Sequence, residues 1–92
     1  MKIYKSTLIS RVPSVSHQID GKLFFLKESS DELFELNDTA AYVWKILEKP
    51  TTFSSIIDKM LDEFNVKKPS LEADLVDLLD LLYKNNVVIY SN

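Results

Sequence analysis

Residues 33–44 read LFELNDTAAYVW, and the hydrophobic pattern changes in the middle of this stretch. Leu33 to Leu36 is a short apolar run of strand length. Asn37 and Asp38 follow it, and side chains of this kind accept hydrogen bonds from the free N–H groups at a helix start. From Ala40 onward the apolar residues recur at helical spacing. The stretch therefore predicts a strand that ends where a helix begins, and it divides the chain into a β half and a helical half.

The β half predicts two further strands. Val15 to Ile19 alternates apolar and polar residues, and Asp20-Gly21 is a strong turn dipeptide. Lys22 to Lys27 is an apolar run of strand length. Together with Leu33 to Leu36, these segments predict a three-stranded antiparallel meander over about residues 14–36.

The helical half predicts three helices over about residues 38–85. The first ends before Pro50, and one of the threonines in Thr51-Thr52 starts the second. Ser70 is expected to cap the third helix. Residues 87–90 then form a C-terminal extended segment or a short strand. At the other end of the chain, Arg11 to Pro13 is expected only to lead into the meander.

We therefore expect an α+β fold, a three-stranded antiparallel β-meander followed by a three-helix winged helix-turn-helix bundle. A length of 92 residues with 46% hydrophobic residues suits one domain with one core, over residues 1–92. A three-stranded sheet is not stable with both faces bare, so the helices must cover one face. The strand Leu33 to Leu36 then lies at the edge of the meander, where its unpaired N–H and C=O groups can pair with another chain.

The third predicted helix carries a wider apolar arc than a core stripe needs. On a helical wheel, four leucines fall within about 60° of one another: Leu71, Leu75, Leu78 and Leu82. A second apolar arc lies beside them: Val76, Leu79 and Tyr83. In one interpretation both arcs pack under the sheet and the tail. In the other, the second arc lines a groove beside the edge strand and holds apolar side chains of a bound peptide, with Asp80 attracting a basic residue at the rim.

The charge distribution argues against a nucleic-acid partner. The net charge is −3, and the whole acidic excess lies after residue 37. In a DNA-binding winged helix, the third helix would enter the major groove and carry basic or amide side chains. Here it carries Lys84 against four acids: Glu72, Asp74, Asp77 and Asp80. A winged-helix DNA-binding protein is therefore the weaker alternative, because this face would repel phosphate.

The chain has few residues of the types that commonly act in catalysis or bind metal ions. The chain has no cysteine, one histidine and one glycine, which argues against a thiolate site and a glycine-rich phosphate loop. His17 lies in a predicted strand, where a structural or surface role is expected, and Trp44 is expected in the core or at its rim. We predict no enzymatic activity, no cofactor and no metal. No apolar run approaches the roughly 20 residues of a membrane span, and no signal peptide is visible, so a cytoplasmic location is expected.

An ordered set of short motifs runs through the chain: Leu36-Asn37-Asp38-Thr39-Ala40, Val43-Trp44-Lys45-Ile46-Leu47, Pro50-Thr51-Thr52, Leu71-Glu72-Ala73-Asp74-Leu75 and Asn86-Val87-Val88. This set resembles the PqqD family, named for pyrroloquinoline quinone biosynthesis, over roughly residues 11–90. The Trp-x-x-Leu-x-x-Pro form looks more like the stand-alone members of lasso-peptide antibiotic biosynthesis. Glu48 to Thr52 departs from the Asp-Gly-x-x-Thr stretch that the family often has.

The resemblance implies a recognition element for ribosomally made, post-translationally modified peptides. Such domains bind the leader part of a precursor peptide, which adds as a strand to the third strand and lies against the third helix. The contacts implied by position are Leu33, Phe34, Glu35, Leu36, Val76, Leu79, Asp80 and Tyr83. The expected partner is the leader protease of a lasso-peptide pathway, or, alternatively, a radical-SAM enzyme for which the protein is a peptide chaperone. The chain is expected as a monomer or a strand-paired dimer.

Overall fold

The computed structural model describes residues 3–12, 17–19, 22–26 and 33–91, and in these residues the chain forms an α+β fold of antiparallel strands and three helices. The elements in chain order are β1 (Leu8–Arg11), β2 (His17–Ile19), β3 (Lys22–Leu26), β4 (Leu33–Leu36), α1 (Asp38–Ile46), β5 (Thr51–Thr52), α2 (Phe53–Glu63), α3 (Lys68–Lys84) and β6 (Val88–Ser91). The strands form two sheets, of order β2-β3-β4 and β5-β1-β6.

The first sheet contains the strands predicted between residues 14 and 36. All its pairs are antiparallel, and Phe24 of β3 lies opposite His17 of β2 and Glu35 of β4. The predicted turn Asp20-Gly21 lies outside the described residues. β3 is the central strand of this sheet, which leaves β4 at an edge.

The second sheet differs from the sequence-based expectation. Residues 11–13 were expected only to lead into the meander, but β1 is a strand that pairs with β6 from Leu8 opposite Ser91 to Arg11 opposite Val88. β1 also pairs with the two-residue strand β5. The β1–β6 pairing joins segments from opposite ends of the sequence, and local hydrophobic patterns carry no signal for such a contact.

The starts of α1 and α2 follow the predicted capping chemistry. The Oδ1 atom of Asn37 accepts a hydrogen bond from the Ala40 N–H at 2.9 Å. The Oγ1 atom of Thr52 accepts one from the Ser55 N–H at 3.3 Å. Each bond satisfies a backbone donor that has no partner within its helix.

The start of α3 corrects the prediction. The helix begins at Lys68, so Ser70 lies within its first turn and does not cap it. Pro69 also lies in this turn, where its missing N–H costs no hydrogen bond. After the helix, Asn86 adopts a left-handed conformation with φ 57°, which asparagine tolerates. This reversal directs Val87 into the core.

The orientation of α3 also differs from the helical-wheel interpretation. Its buried residues are Leu71, Leu75, Leu79 and Leu82, whereas Leu78 is half-buried. The wheel had assigned Leu78 to the core and Leu79 to the second arc. β6 contacts α3, and the sequence does not indicate which side of the helix this strand covers. Tyr83, one turn after Leu79, stacks on Tyr90 of β6 with ring centroids 4.7 Å apart.

Trp44 connects the two sheets through α1. It is half-buried and packs against the core, so the predicted position at the core rim is confirmed. Its ring meets Phe25 of β3 edge to face, with centroids 4.7 Å apart. The Arg11 guanidinium of β1 lies 4.1 Å from the Trp44 ring centroid, and its Nε donates to the Trp44 carbonyl oxygen at 3.1 Å. These contacts hold β1 and β3 against the same helix.

Candidate functional site

The edge of β4 is the first part of the candidate site. Within the described part of the chain, β4 pairs only with β3, from Leu33 opposite Leu26 to Leu36 opposite Leu23. Its other edge therefore presents backbone N–H and C=O groups without a strand partner. Such an edge can accept an extended segment of another chain by main-chain hydrogen bonds.

The four predicted contact residues of β4 have different environments. Glu35 is exposed, and its Oε1 atom lies 3.5 Å from Nζ of Lys22 in the neighbouring strand. An ion pair between two exposed side chains contributes little to stability, so Glu35 remains available to a ligand. Leu36 is buried in the core. For Leu33 and Phe34 the structure describes only the backbone.

An apolar cavity of about 180 Å³ lies near the end of β4, and we call it the α2–α3 cavity. Its lining residues are Thr39, Met60, Phe64, Val66, Ser70, Leu71, Asp74, Leu75 and Leu78. Thr39 lies in the first turn of α1, three residues after β4 ends, so the chain that leaves β4 reaches the margin of this cavity. A dry apolar cavity of about 150 Å³ holds a benzene ring, so this one is large enough for a leucine or aromatic side chain.

Two exposed apolar residues extend the α2–α3 cavity along the surface. Val66 lines the cavity and is 47% exposed. Leu81 is 48% exposed, and on the helical wheel it lies about 20° from Asp74. Leu78 and Leu81 therefore continue the same side of α3 beyond the cavity. About half of the Leu81 surface is exposed within the described chain, so this side of α3 retains apolar surface that a ligand can cover.

The predicted contact residues of α3 lie elsewhere. Val76 lies beside Ile3 and Tyr4 in a second cavity, on the other side of the buried stripe of α3. Tyr83 stacks on Tyr90 of β6. The sequence placed Val76 and Tyr83 with Leu79 on the second arc and Asp80 at its rim. In the structure, Val76 faces the N-terminal segment, and Tyr83 and Asp80 lie near Tyr90 of β6.

Leu79 needs a separate correction. Its side chain is fully buried, so it belongs to the core and does not line a surface groove. The residues that sequence reasoning missed are Thr39, Val66, Asp74, Leu78 and Leu81. On the wheel, Leu81 lies outside the core stripe and between Asp74 and Asp77, and this position was the signal that could have drawn attention to this side of α3.

Tyr90 has an unusual environment on the β6 side of α3. Its hydroxyl oxygen is buried and has no hydrogen-bond partner among the described residues. Desolvation by burial, followed by the negative charges of Asp80 and of ionised Tyr83, raises the pKa of Tyr90 to about 12. The stacked ring thus stabilises the fold by packing, whereas the desolvation of its hydroxyl destabilises the fold.

Replacing Tyr90 by phenylalanine is expected to raise the free energy of unfolding by up to about 1 kcal/mol, because it removes an unpaired buried hydroxyl and keeps the stacked ring. In the wild-type protein, the raised pKa means that the folded state holds the proton more tightly than the unfolded chain. The free energy of unfolding that depends on this bound proton is present in full below pH 10, and it is lost as the pH rises towards 12. Denaturant unfolding of both proteins over this pH range measures the difference. A variant less stable than wild type at neutral pH would contradict the assignment.

No group of three or more histidine, cysteine, aspartate or glutamate side chains among the described residues is arranged to hold a metal ion. The exposed acids of α3, Asp74 and Asp77, line different cavities. No helix in the described residues is long and apolar enough to cross a membrane.

Comparison with known proteins shows to which family the chain belongs. A search of curated proteins finds no match. Among solved structures, the chain is similar to TbiB1 in complex with the TbiA(beta) leader peptide, with a TM-score of 0.69 and 27% sequence identity over 100% of both chains. The sequence profile of the family described as coenzyme PQQ synthesis protein D (PqqD) matches residues 23–88, which is more than half of the chain. The protein therefore belongs to the PqqD family.

Proposed function

We propose that this protein binds the leader region of a ribosomally made precursor peptide and presents it to a separate processing enzyme. It is then an adaptor, and the chemistry belongs to its partner. Two observations carry the proposal: one edge of β4 has no strand partner among the described residues, and an apolar cavity of about 180 Å³ is lined by Thr39, three residues beyond this strand. The similarity to TbiB1, whose structure is that of a complex with a leader peptide, supports it.

The backbone of the leader pairs with β4. Main-chain hydrogen bonds supply affinity that depends little on the peptide's side chains. The predicted contacts Leu33, Phe34, Glu35 and Leu36 all belong to this strand and stay in the proposal. An edge that accepts a peptide can also accept a second copy of the chain, so a strand-paired dimer would compete with the leader.

The side chains of the leader contact α3. We assign this contact to the side that carries Asp74, Leu78 and Leu81 instead of the predicted Val76, Asp80 and Tyr83. The support is that Thr39, close to the end of β4, lines the same cavity as Asp74 and Leu78. One large apolar side chain of the leader enters this cavity, and its neighbours lie along Leu81.

A sequence motif supports our assignment of the pathway and of the partner enzyme. The Trp-x-x-Leu-x-x-Pro form at Trp44, Leu47 and Pro50 supports a lasso-peptide pathway, in which the partner is a leader protease and the complex forms in the cytoplasm. A short precursor, a protease and a cyclase encoded beside the gene would agree with this assignment. A neighbouring radical-SAM enzyme would instead favour the peptide-chaperone role.

The proposal includes the finer description of the fold, a β-meander followed by a winged helix-turn-helix bundle. The strand order β2-β3-β4 and the position of β6 directly after α3 support it. In this setting α3 serves as a peptide-binding helix. A DNA-binding role is disfavoured because Glu72, Asp74, Asp77 and Asp80 outnumber the two lysines of α3.

The decisive experiment uses backbone N-methylation of the leader peptide from the precursor encoded beside the gene. We expect the unmodified, fluorescently labelled leader to bind with a dissociation constant of about 10 µM or tighter in anisotropy titrations. In an extended strand, only every second residue directs its N–H towards a given neighbour. Methylating one alternate set of amides should therefore abolish binding, whereas methylating the other set should spare it.

The two methylated peptides are matched controls for each other, because they carry the same chemical change in different register. Equal binding of both peptides and the unmodified leader would exclude pairing with β4. Absence of saturable binding by the unmodified leader would overturn the proposed function itself.

A further inference from the structure

Asp74 is the only charged residue among those that line the α2–α3 cavity. It is exposed, and it forms no ion pair with any residue that the structure describes. The other lining side chains are apolar or hydroxyl-bearing. A single uncompensated carboxylate thus stands at the margin of an otherwise uncharged, mainly apolar site.

The cavities on the other side of α3 differ in this respect. One of them is lined by Lys5 and Lys68 as well as by Asp58 and Glu72, so its charges are balanced. Lys68, the first residue of α3, lies on that side and not on the side of Asp74. Lys84, the other cation of α3, lies ten residues after Asp74, about 15 Å further along the helix axis. No cation of α3 is therefore close enough to pair with the Asp74 carboxylate.

We infer that Asp74 selects leader peptides in which a basic residue lies two positions from the apolar residue that enters the α2–α3 cavity. The inference rests on the proposed function and adds the chemistry of the ligand. Charge complementarity across an interface favours a cation at this position and disfavours an acid.

The spacing follows from the geometry of an extended peptide. Residues two positions apart in such a peptide point to the same face and lie about 7 Å apart. Asp74 lies at the margin of the cavity. When one side chain of the peptide enters the cavity, the side chain two positions away on the same face therefore passes over this margin. A lysine or arginine there reaches the carboxylate.

The expected effect is modest, because Asp74 is exposed to solvent. Ion pairs at such positions change affinity by about two- to fivefold, and salt weakens them. This range is enough to discriminate between peptides of otherwise equal shape, since the anchor residue supplies most of the side-chain affinity.

The test is a selection of binders from a displayed library of short randomised peptides, carried out with the full chain. Wild-type protein should enrich peptides with lysine or arginine two positions from a large apolar residue. The Asp74→Asn variant should lose this enrichment. The matched control is Glu72→Gln, which removes the same charge from the opposite side of α3, about 160° from Asp74 on the helical wheel, and should keep the enrichment.

One selected peptide and its lysine-to-glutamine variant then give the affinities. At low salt, Asp74→Asn should weaken the lysine peptide about two- to fivefold and leave the glutamine peptide unchanged. Basic enrichment that persists in Asp74→Asn, or no basic enrichment with wild type, would overturn the inference while leaving peptide binding intact. A library that yields no binders would instead contradict the proposed function.

Discussion

Replacing Ser70 by tryptophan is expected to lower the affinity for the leader peptide by about tenfold to hundredfold. Ser70 is exposed in the first turn of α3 and lines the α2–α3 cavity, so an indole ring at this position fills the space that the peptide needs. Burial of one large apolar side chain contributes about 1.5–3 kcal/mol, and the variant loses this contribution. Anisotropy titration with the labelled leader measures the change in the dissociation constant.

The matched control is Ala73→Trp, which places the same ring at an exposed residue of the same helix, beside the cavity on the other side of α3. We expect its affinity to stay close to wild type. Thermal unfolding of both variants checks that the fold is retained. Normal binding by Ser70→Trp together with weak binding by Ala73→Trp would move the peptide to the Val76 and Tyr83 side of α3.

Local signals accounted for much of the fold. Strands β3 and β4 were visible as short apolar runs, and the change of period after Leu36 located the start of α1. Asn37 and Thr52 cap their helices as their side-chain chemistry predicts. These features depend on neighbours within a few residues, and such information is present in the sequence itself.

Contacts between segments far apart in the sequence could not be predicted from such local patterns. The pairing of β1 with β6 joins the two ends of the chain, and neither segment is distinctive enough to indicate its partner. A helical wheel gives the angles between Leu78, Leu79 and Leu81, but it does not show which of these residues faces the core. The sequence therefore directed the candidate site to β4 and α3, whereas the side of α3 to which we now propose to assign it depends on contacts outside the helix.

Our assignment gives the two sides of α3 separate tasks. Leu79 is buried in the core, and Tyr83 stacks on Tyr90 of β6. On the other side, Leu78 lines the α2–α3 cavity and Leu81 retains exposed apolar surface. Substitutions of leucines that are neighbours in sequence should thus separate stability from binding.

Replacing Leu79 by alanine is expected to lower the free energy of unfolding by about 2–5 kcal/mol, because it removes a fully buried side chain and leaves a cavity in the core. Small domains are stable by about 5–15 kcal/mol, so this loss is a large fraction of the total. Urea unfolding measures it. The fraction of Leu79→Ala that remains folded should bind the leader peptide with nearly wild-type affinity.

Leu81→Ala is the matched variant, since it removes the same atoms two residues further along the same helix. Its side chain is 48% exposed, so we expect the free energy of unfolding to change by no more than about 0.5 kcal/mol. Leader binding should nevertheless weaken, because Leu81 continues the surface on which the peptide lies. If Leu79→Ala lost affinity without losing stability, Leu79 would contact the peptide, and α3 would have to turn relative to the core on binding. If Leu81→Ala bound normally, the peptide would end at the α2–α3 cavity without reaching the second half of the helix.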